Sequence, residues 1–178
     1  MSDVPAPDRK QLVIVRHAKS SWDDPSLADH DRPLAPRGRK AVKRLREHLD
    51  NLNLAVDVVL CSSSQRTRQT LEGIRPALLR HSEPRIDIDP NLYGADADHL
   101  LARLREIDEP VTCVVLIGHN PGVADLTDLL VAPDDVGADQ TGKFPTAAVA
   151  ALSFSGRWRD LQPGSASLDS FWTPREAG

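Results

Sequence analysis

Gln11-Leu12-Val13-Ile14-Val15-Arg16-His17-Ala18-Lys19-Ser20 decides how the rest of the chain is read. Leu12 to Val15 is an unbroken apolar run, β-branched from Val13 onward. A short run of this kind reads as a strand buried on both faces, as inside a parallel sheet. Arg16 and His17 follow at its carboxyl end, which is where open α/β sheets bind their ligands. The Arg16 guanidinium is a rigid fork of donors suited to phosphate. The His17 imidazole is a nitrogen nucleophile or a proton carrier near neutral pH. Taken alone, the pair also fits a solvated strand end. Two segments far along the chain shift that balance.

Outward from this strand, Ser20 to Pro36 is a long connection rich in Asp, Ser and Pro, containing Trp22 and Asp31-Arg32-Pro33-Leu34. Loops of this length inside a compact domain are often functional. Val42, Leu45, Leu49 and Leu52 recur at helical spacing and predict a helix from Pro36 to about Leu52, with Arg39, Lys40, Lys43, Arg44, Arg46 and Glu47 on its solvated face. Val56 to Leu60 reads as a second strand, and Cys61-Ser62-Ser63-Ser64 as the entry to a helix carrying Arg66, Thr67 and Thr70. Pro76 predicts a kink or an end of that helix near Arg75. Ile86 to Ile88 is a third strand, and Asp96 or Asp98 starts a helix with Leu100, Leu101, Leu104 and Ile107 inward. Val111 to Ile117 is the most apolar strand and runs into Gly118-His119-Asn120-Pro121-Gly122. A helix over about Val123 to Leu130, a polar loop from Val131 to Gly142 and a strand over Ala147 to Phe154 follow. Trp158, Phe171 and Trp172 are expected in edge strands or packed across the sheet. Strands alternating with helices predict a three-layer α/β/α sandwich with a mostly parallel central sheet.

The 178 residues are enough for a substantial core, and residues 11–178 are expected to form a single domain behind a flexible tail over 1–10. A formal charge of −4 argues against a generally nucleic-acid-binding surface but leaves room for a local basic pocket. Cys61 and Cys113 are read as buried, reduced thiols of a cytoplasmic protein. The first ten residues lack the apolar core of a signal peptide, and no run is long enough to span a membrane. His30, His48, His81 and His99 lack metal-ligand spacing and are expected at the surface. No glycine-rich phosphate loop follows a strand, which disfavours a nucleotide-binding fold.

Arg16-His17, Ser62 to Arg66, and His119 all fall at strand ends. If the strands are parallel, two arginines and two histidines meet at one rim, with the helix start near Ser64 adding its positive end. Lys19, Arg32 and Arg37 lie in the adjoining loop. An acidic chain that gathers cations at one rim predicts an anionic ligand.

These residues, in this order, resemble the histidine phosphatase superfamily, whose fold is phosphoglycerate mutase-like. Arg16-His17-Ala18-Lys19-Ser20-Ser21-Trp22, Asp31-Arg32-Pro33-Leu34 with Arg37-Gly38, and Gly118-His119-Asn120-Pro121-Gly122 look like its small SixA-type branch, the phosphohistidine phosphatases. The resemblance covers about Leu12 to Phe154. It implies that His17 attacks phosphorus and becomes phosphohistidine, that Arg16, Arg66 and His119 hold the phosphoryl oxygens, and that neither metal nor cofactor is needed. Phosphoryl contacts from Arg32 and Lys19 are also expected. The implied activity is hydrolysis of a phosphoramidate or phosphoric monoester, with a phosphorylated protein or a small phosphate compound as partner. A mutase-type phosphotransferase and a non-catalytic phospho-ligand module are the alternatives. One departure stands out. Larger members carry a glutamate after the third strand that protonates the leaving oxygen, whereas this chain has Asn91-Leu92-Tyr93-Gly94-Ala95 and no carboxylate before Asp96. Asp96 reads as a helix cap, and Asp23 and Asp24 as loop residues. Trp22 either walls the pocket or anchors its loop.

Overall fold

The computed structural model describes residues 8–135 and 143–175. Strand β1 (Arg9–Arg16) contains the apolar run but starts earlier than the sequence pattern shows. Arg9 and Lys10 pair with Ser155 and Phe154 of β5 (Val149–Ser155), so they belong to the sheet and not to the expected tail. The buried Lys10 donates its ammonium to the Glu109 carbonyl at 2.9 Å, and Arg9 reaches Asp169 at 3.0 Å. Long cationic stems can lie along a sheet face while their heads find oxygen, which is why a polar pair can extend an apolar strand. Residues 1–7 lie outside the described residues.

Side chains alternate across a strand, so an uninterrupted apolar run must bury both faces. Leu12 and Ile14 join one core with Val58 and Leu60 of β2 (Val58–Ser62) and Val114 and Leu116 of β4 (Cys113–Gly118). Val13 and Val15 join a second core with Val59, Cys61, Val115 and Ile117. Leu45 and Leu49 of α1 (Pro36–Leu52) and Leu71 and Ile74 of α2 (Gln65–Leu78) cover the second core. Leu100 and Leu104 of α3 (Ala97–Arg105) and Val123 and Leu126 of α4 (Gly122–Leu130) cover the first. The result is the expected α/β/α sandwich.

The sheet order is β3-β2-β4-β1-β5-β6, with β3 at Arg85–Asp89 and β6 at Ser167–Trp172. The first four strands are parallel; β5 runs against β1, and β6 against β5. The register sets the rim: Val15 lies beside Ile117 and Ile117 beside Cys61, while Arg16 lies beside Gly118. The next residues, His17, His119 and Ser62, therefore leave the sheet side by side.

Helix α2 continues past Pro76 to Leu78, contrary to the expected break. Proline removes only its own N–H, and here it stands in the last turn. Ala77 and Leu78 are buried in the core beyond it, and the Leu79 N–H closes the helix on the Arg75 carbonyl. Strand β2 starts at Val58 instead of Val56, because Asp57 turns its carboxylate onto the N–H groups of Thr112 and Cys113 just before the pairing begins. Of the polar loop expected over 131–142, residues 136–142 lie outside the described residues. Trp158 is fully buried and donates to the Val111 carbonyl, while Phe171 and Trp172 lie on the edge strand β6. Both cysteines are free and buried, and burial pushes each thiol up to about 12. Among the described residues no helix is long and apolar enough to cross a membrane.

Candidate active site

His17 follows β1 directly and is 8% exposed. Its Nδ1 donates to the Ala18 carbonyl at 2.7 Å, which leaves the Nε2 lone pair facing outward from that bond. Arg66 Nε points at His17 Nε2 from 3.4 Å. The His17 loop is tied down on both sides. The Ala18 N–H donates to Thr70 Oγ1, and the Ala147 N–H donates to the carbonyls of Arg16 and His17. The Lys19 carbonyl accepts from Ala35 just before α1. A Cβ on Gly38 would stand 2.2 Å from that same carbonyl oxygen, so glycine is what lets α1 approach the loop so closely.

Arg66 is the second residue of α2. Ser64 caps the helix by accepting from the Thr67 N–H, Thr67 Oγ1 donates back to the Ser62 carbonyl, and Thr70 donates to the Arg66 carbonyl. These bonds explain the spacing of serine, arginine and threonines in this segment. The Arg66 guanidinium is divided. Its Nε–Nη2 edge faces the two histidines, 3.4 Å from His17 Nε2 and 3.4 Å from His119 Nδ1. Nη1 donates to the Asp29 backbone carbonyl at 2.6 Å, and Nη2 also donates to the Asp29 carboxylate at 2.9 Å. Contacts of 3.4 Å are at the weak end for hydrogen bonds, so this edge can turn its donors to a stronger acceptor.

His119 donates from Nε2 to Ser62 Oγ at 2.8 Å if its Nδ1 accepts from Arg66, and its ring stands 5.1 Å from that of His17. Arg16 completes the group. Its Nη1 donates to the Phe144 carbonyl at 2.9 Å, shared with the Asn120 amide, while its Nε is buried with no partner among the described residues. An unsatisfied buried donor costs about 1–3 kcal/mol, which marks this nitrogen as one that gains from an incoming oxygen. Burial and the neighbouring Arg66 charge hold the Arg16 guanidinium below its ordinary value.

A family model, the histidine phosphatase superfamily (branch 1), matches residues 12–109, which contain β1, His17 and Arg66. The chain belongs to that superfamily. Its SixA-type character comes from whole-chain similarity. The uncharacterized protein Rv1276c of Mycobacterium tuberculosis is 38% identical over 167 residues, covering 90% of this chain and 100% of that one. The SixA structure from Nakamurella multipartitia superposes with a TM-score of 0.82 at 30% identity, covering 93% of this chain and 96% of that one. The structure of the protein histidine phosphatase SixA complexed with tungstate gives 0.74 at 25% identity, covering 92% and 97%. Membership of this family makes the chain a phosphatase.

Within this phosphatase the four residues expected at the pocket, Arg16, His17, Arg66 and His119, do converge. Arg32 and Lys19 are placed apart from these four. The three Arg32 donor nitrogens go to Ser21 O, Asp29 Oδ1 and Ser20 Oγ, and its guanidinium lies 3.1 Å from the centre of the exposed Trp22 ring. Arg32 is the buried post of the loop, one carboxylate removed from Arg66. Trp22 does not enter the core; it covers that post from outside. Lys19 is exposed and lines a separate groove beside α1.

Asp29 is the residue that sequence reasoning missed. It accepts from Arg66, from Arg32 and, at 2.5 Å, from the Tyr93 hydroxyl. These donors hold its carboxyl well below the usual carboxylate range, with the Tyr93 bond the largest cause. The only sequence signal was its place three residues before Arg32 in a long loop. Tyr93 stands edge-on over His119 at 5.4 Å and over His30 at 4.9 Å, and the bond to Asp29 pushes its hydroxyl above its ordinary value. His30, expected to be an ordinary surface histidine, bonds Ser63 Oγ at 2.9 Å on the rim of the site. His48 is also more than a surface group, stacked on Trp172 at 4.7 Å. Asp96 is the N-cap of α3, accepting from the His99 N–H, as its position predicted. A Cβ on Gly122 would stand 2.1 Å from the Ala95 carbonyl oxygen, so glycine lets the turn after His119 seat against the Tyr93 loop.

The electrostatics favour neutral rings. Burial is the main cause that pushes His17 down to about 3, with the bond to Ala18 working the other way and the charges of His119, Arg66 and Arg16 adding to the fall. Burial and then Arg66 push His119 down to about 4. Both imidazoles are expected to stay unprotonated in the free protein from pH 8 to pH 5, read as flat carbon-bound proton shifts in an NMR titration. A transition near pH 6.5 for either ring would contradict the buried geometry. An unfolded chain takes up protons on these rings near pH 6.5, so their contribution to stability is present above that pH and is lost as pH falls toward 4.

Proposed function

We propose that this phosphatase works through a phosphohistidine intermediate on His17 and that phosphorylated imidazole, meaning phosphohistidine on a protein, is its preferred substrate class. The observation that carries this is His17 itself: Nδ1 is held as a donor by Ala18, so Nε2 presents its lone pair beside the Nε–Nη2 edge of Arg66. His17 Nε2 forms a bond to phosphorus as the bond to the leaving atom breaks. Arg66, His119 and the unpartnered Arg16 Nε take the phosphoryl oxygens, whose charge positioned donors stabilise. Water then adds to phosphorus, the nitrogen–phosphorus bond breaks, and inorganic phosphate leaves with Nε2 restored. The binding of tungstate, a tetrahedral oxyanion, by a SixA phosphatase at 25% identity supports this use of the pocket.

The leaving-group preference follows from the carboxylate at the site. Asp29 is bonded to Tyr93, Arg66 and Arg32, and these donors keep it ionised, so it has no proton to give. An alkyl phosphate needs that proton, and general acid catalysis is worth about 10²–10⁴-fold. An imidazole leaving group has a conjugate acid near about 6.5 and can be protonated before reaction. The test compares kcat/KM for a phosphohistidine substrate, an aryl phosphate and an alkyl phosphate in one buffer. The expected order is phosphohistidine and aryl phosphate well ahead of alkyl phosphate. Alkyl turnover equal to the others would show that a group supplies the proton after all, and Asp29→Asn would then be the variant that identifies it.

A further inference from the structure

We infer that the groove between α1 and the Pro145-Thr146 segment is a second anion site, which takes the acidic stretch of a polypeptide carrying the phosphorylated side chain. The substrate part of this inference rests on the function proposed above; the groove itself rests on its own residues. It has a volume of about 350 Å³, and its charged lining is Lys19, Arg37, Lys40 and Arg44. No described residue lining it is acidic. A chain of net charge −4 has thus set four cations along one groove. Among the described residues Lys19, Lys40 and Arg44 make no ion pair; Arg44 only donates to the Arg175 carbonyl. Ordinary surface cations scatter among carboxylates, so a stripe of this kind produces a local field that the rest of the molecule opposes.

The spacing suits an extended chain. Arg37, Lys40 and Arg44 are three and four residues apart on one face of α1, and seven residues of helix rise about 10 Å. That is the length of roughly three residues of extended peptide. The groove also adjoins the catalytic side. Lys19 is two residues beyond His17, and Pro145 walls both this groove and the cavity that holds Arg16 and Asn120. A polypeptide crossing Pro145 can lay carboxylates on the groove while it offers a side chain to Arg16. All four cations are exposed on long stems, which gives weak, salt-sensitive steering and not a rigid phosphate clamp. The net negative charge elsewhere disfavours a long nucleic acid or an anionic membrane, both of which would meet the whole surface.

The test uses the full chain and a fluorescent peptide of about six Asp and Glu residues around one unphosphorylated histidine. Anisotropy at low salt should show binding that weakens as salt rises. The Lys40→Glu/Arg44→Glu variant should weaken it about tenfold or more, since like charges now face each other. Inorganic phosphate at matched ionic strength should not displace the peptide. In turnover, kcat/KM for an acidic phosphohistidine peptide should fall about tenfold in that variant, mainly through KM, and stay within twofold for a neutral one. If the reversal variant does not fold, Lys40→Ala/Arg44→Ala, which suits a helix surface, should shift binding the same way by less. Equal binding by wild type and variant, or equal binding of a neutral peptide, overturns the inference. Tighter binding of an oligonucleotide or of vesicles containing anionic lipid overturns the choice of partner. If neither peptide is turned over, the proposed function fails while the anisotropy result still decides the groove.

Discussion

His17→Ala is expected to lower kcat/KM by roughly 10⁴–10⁶-fold, the scale reached when a covalent nucleophile is deleted. Alanine keeps the backbone bonds that pin the loop, from Ala147 to the carbonyls of residues 16 and 17 and from Ala18 to Thr70, so the fold should persist. What it removes is the imidazole whose Nε2 lone pair faces Arg66. The wild-type protein, quenched during turnover of a labelled substrate, should carry an acid-labile, base-stable phosphate that maps to His17 and is absent in the variant. Near-normal turnover by His17→Ala, or label found on His119, would reassign the nucleophile. The two rings are 5.1 Å apart, so this is a real alternative for the chemistry to exclude. The geometry separates them. Arg66 stands 3.4 Å from one nitrogen of each ring, so the difference lies at the other nitrogen: a carbonyl, which can only accept, fixes His17 Nδ1 as the donor, whereas His119 Nε2 meets the Ser62 hydroxyl, which can donate or accept.

Arg66→Ala should lower kcat/KM by about 2–4 kcal/mol of transition-state stabilisation, close to 10²–10³-fold, if its Nε–Nη2 edge is a preorganised donor pair. Lysine should not rescue it. One ammonium cannot hold the Asp29 carbonyl and carboxylate while also presenting a planar edge to two histidines. The loss should fall on kcat as well as KM, because the charge it meets grows in the transition state. Asp29→Asn provides the companion measurement. It keeps an acceptor for Arg66 but removes the negative charge, so its loss should be smaller than that of Arg66→Ala, and the double variant should be no worse than Arg66→Ala alone. Additive losses would mean that Asp29 acts on the substrate directly and not through Arg66. A loss below tenfold for Arg66→Ala would mean that the guanidinium serves the loop and not the phosphoryl group.

Much of the molecule could be read along the chain. Val13, Val15, Val115 and Ile117 sit in apolar runs that can only be doubly buried strands, and Val42, Leu45 and Leu49 recur at a period only a helix satisfies. Both signals are local, because a strand repeats every two residues and a helix every 3.6. Polar residues directly after such runs, namely Arg16, His17, Ser62 and His119, are placed at the rim by the parallel direction of the strands alone. Tertiary structure decided the rest. The order β3-β2-β4-β1-β5-β6 depends on which strands pair, and pairing is not written in any one of them. Pro76 stays within its helix because burial of Ala77 and Leu78 outweighs one missing donor. Arg32 reads as a phosphate ligand in sequence, whereas in the fold each of its three nitrogens donates within the loop, to Ser20, Ser21 and Asp29. Asp29 itself reaches across 37 residues to Arg66 and 64 to Tyr93. A polar contact at that separation leaves no periodic trace in the chain, because it joins the segment at Asp29 to the first turn of α2 and to the loop at Tyr93, which only the folded sheet brings to the same rim.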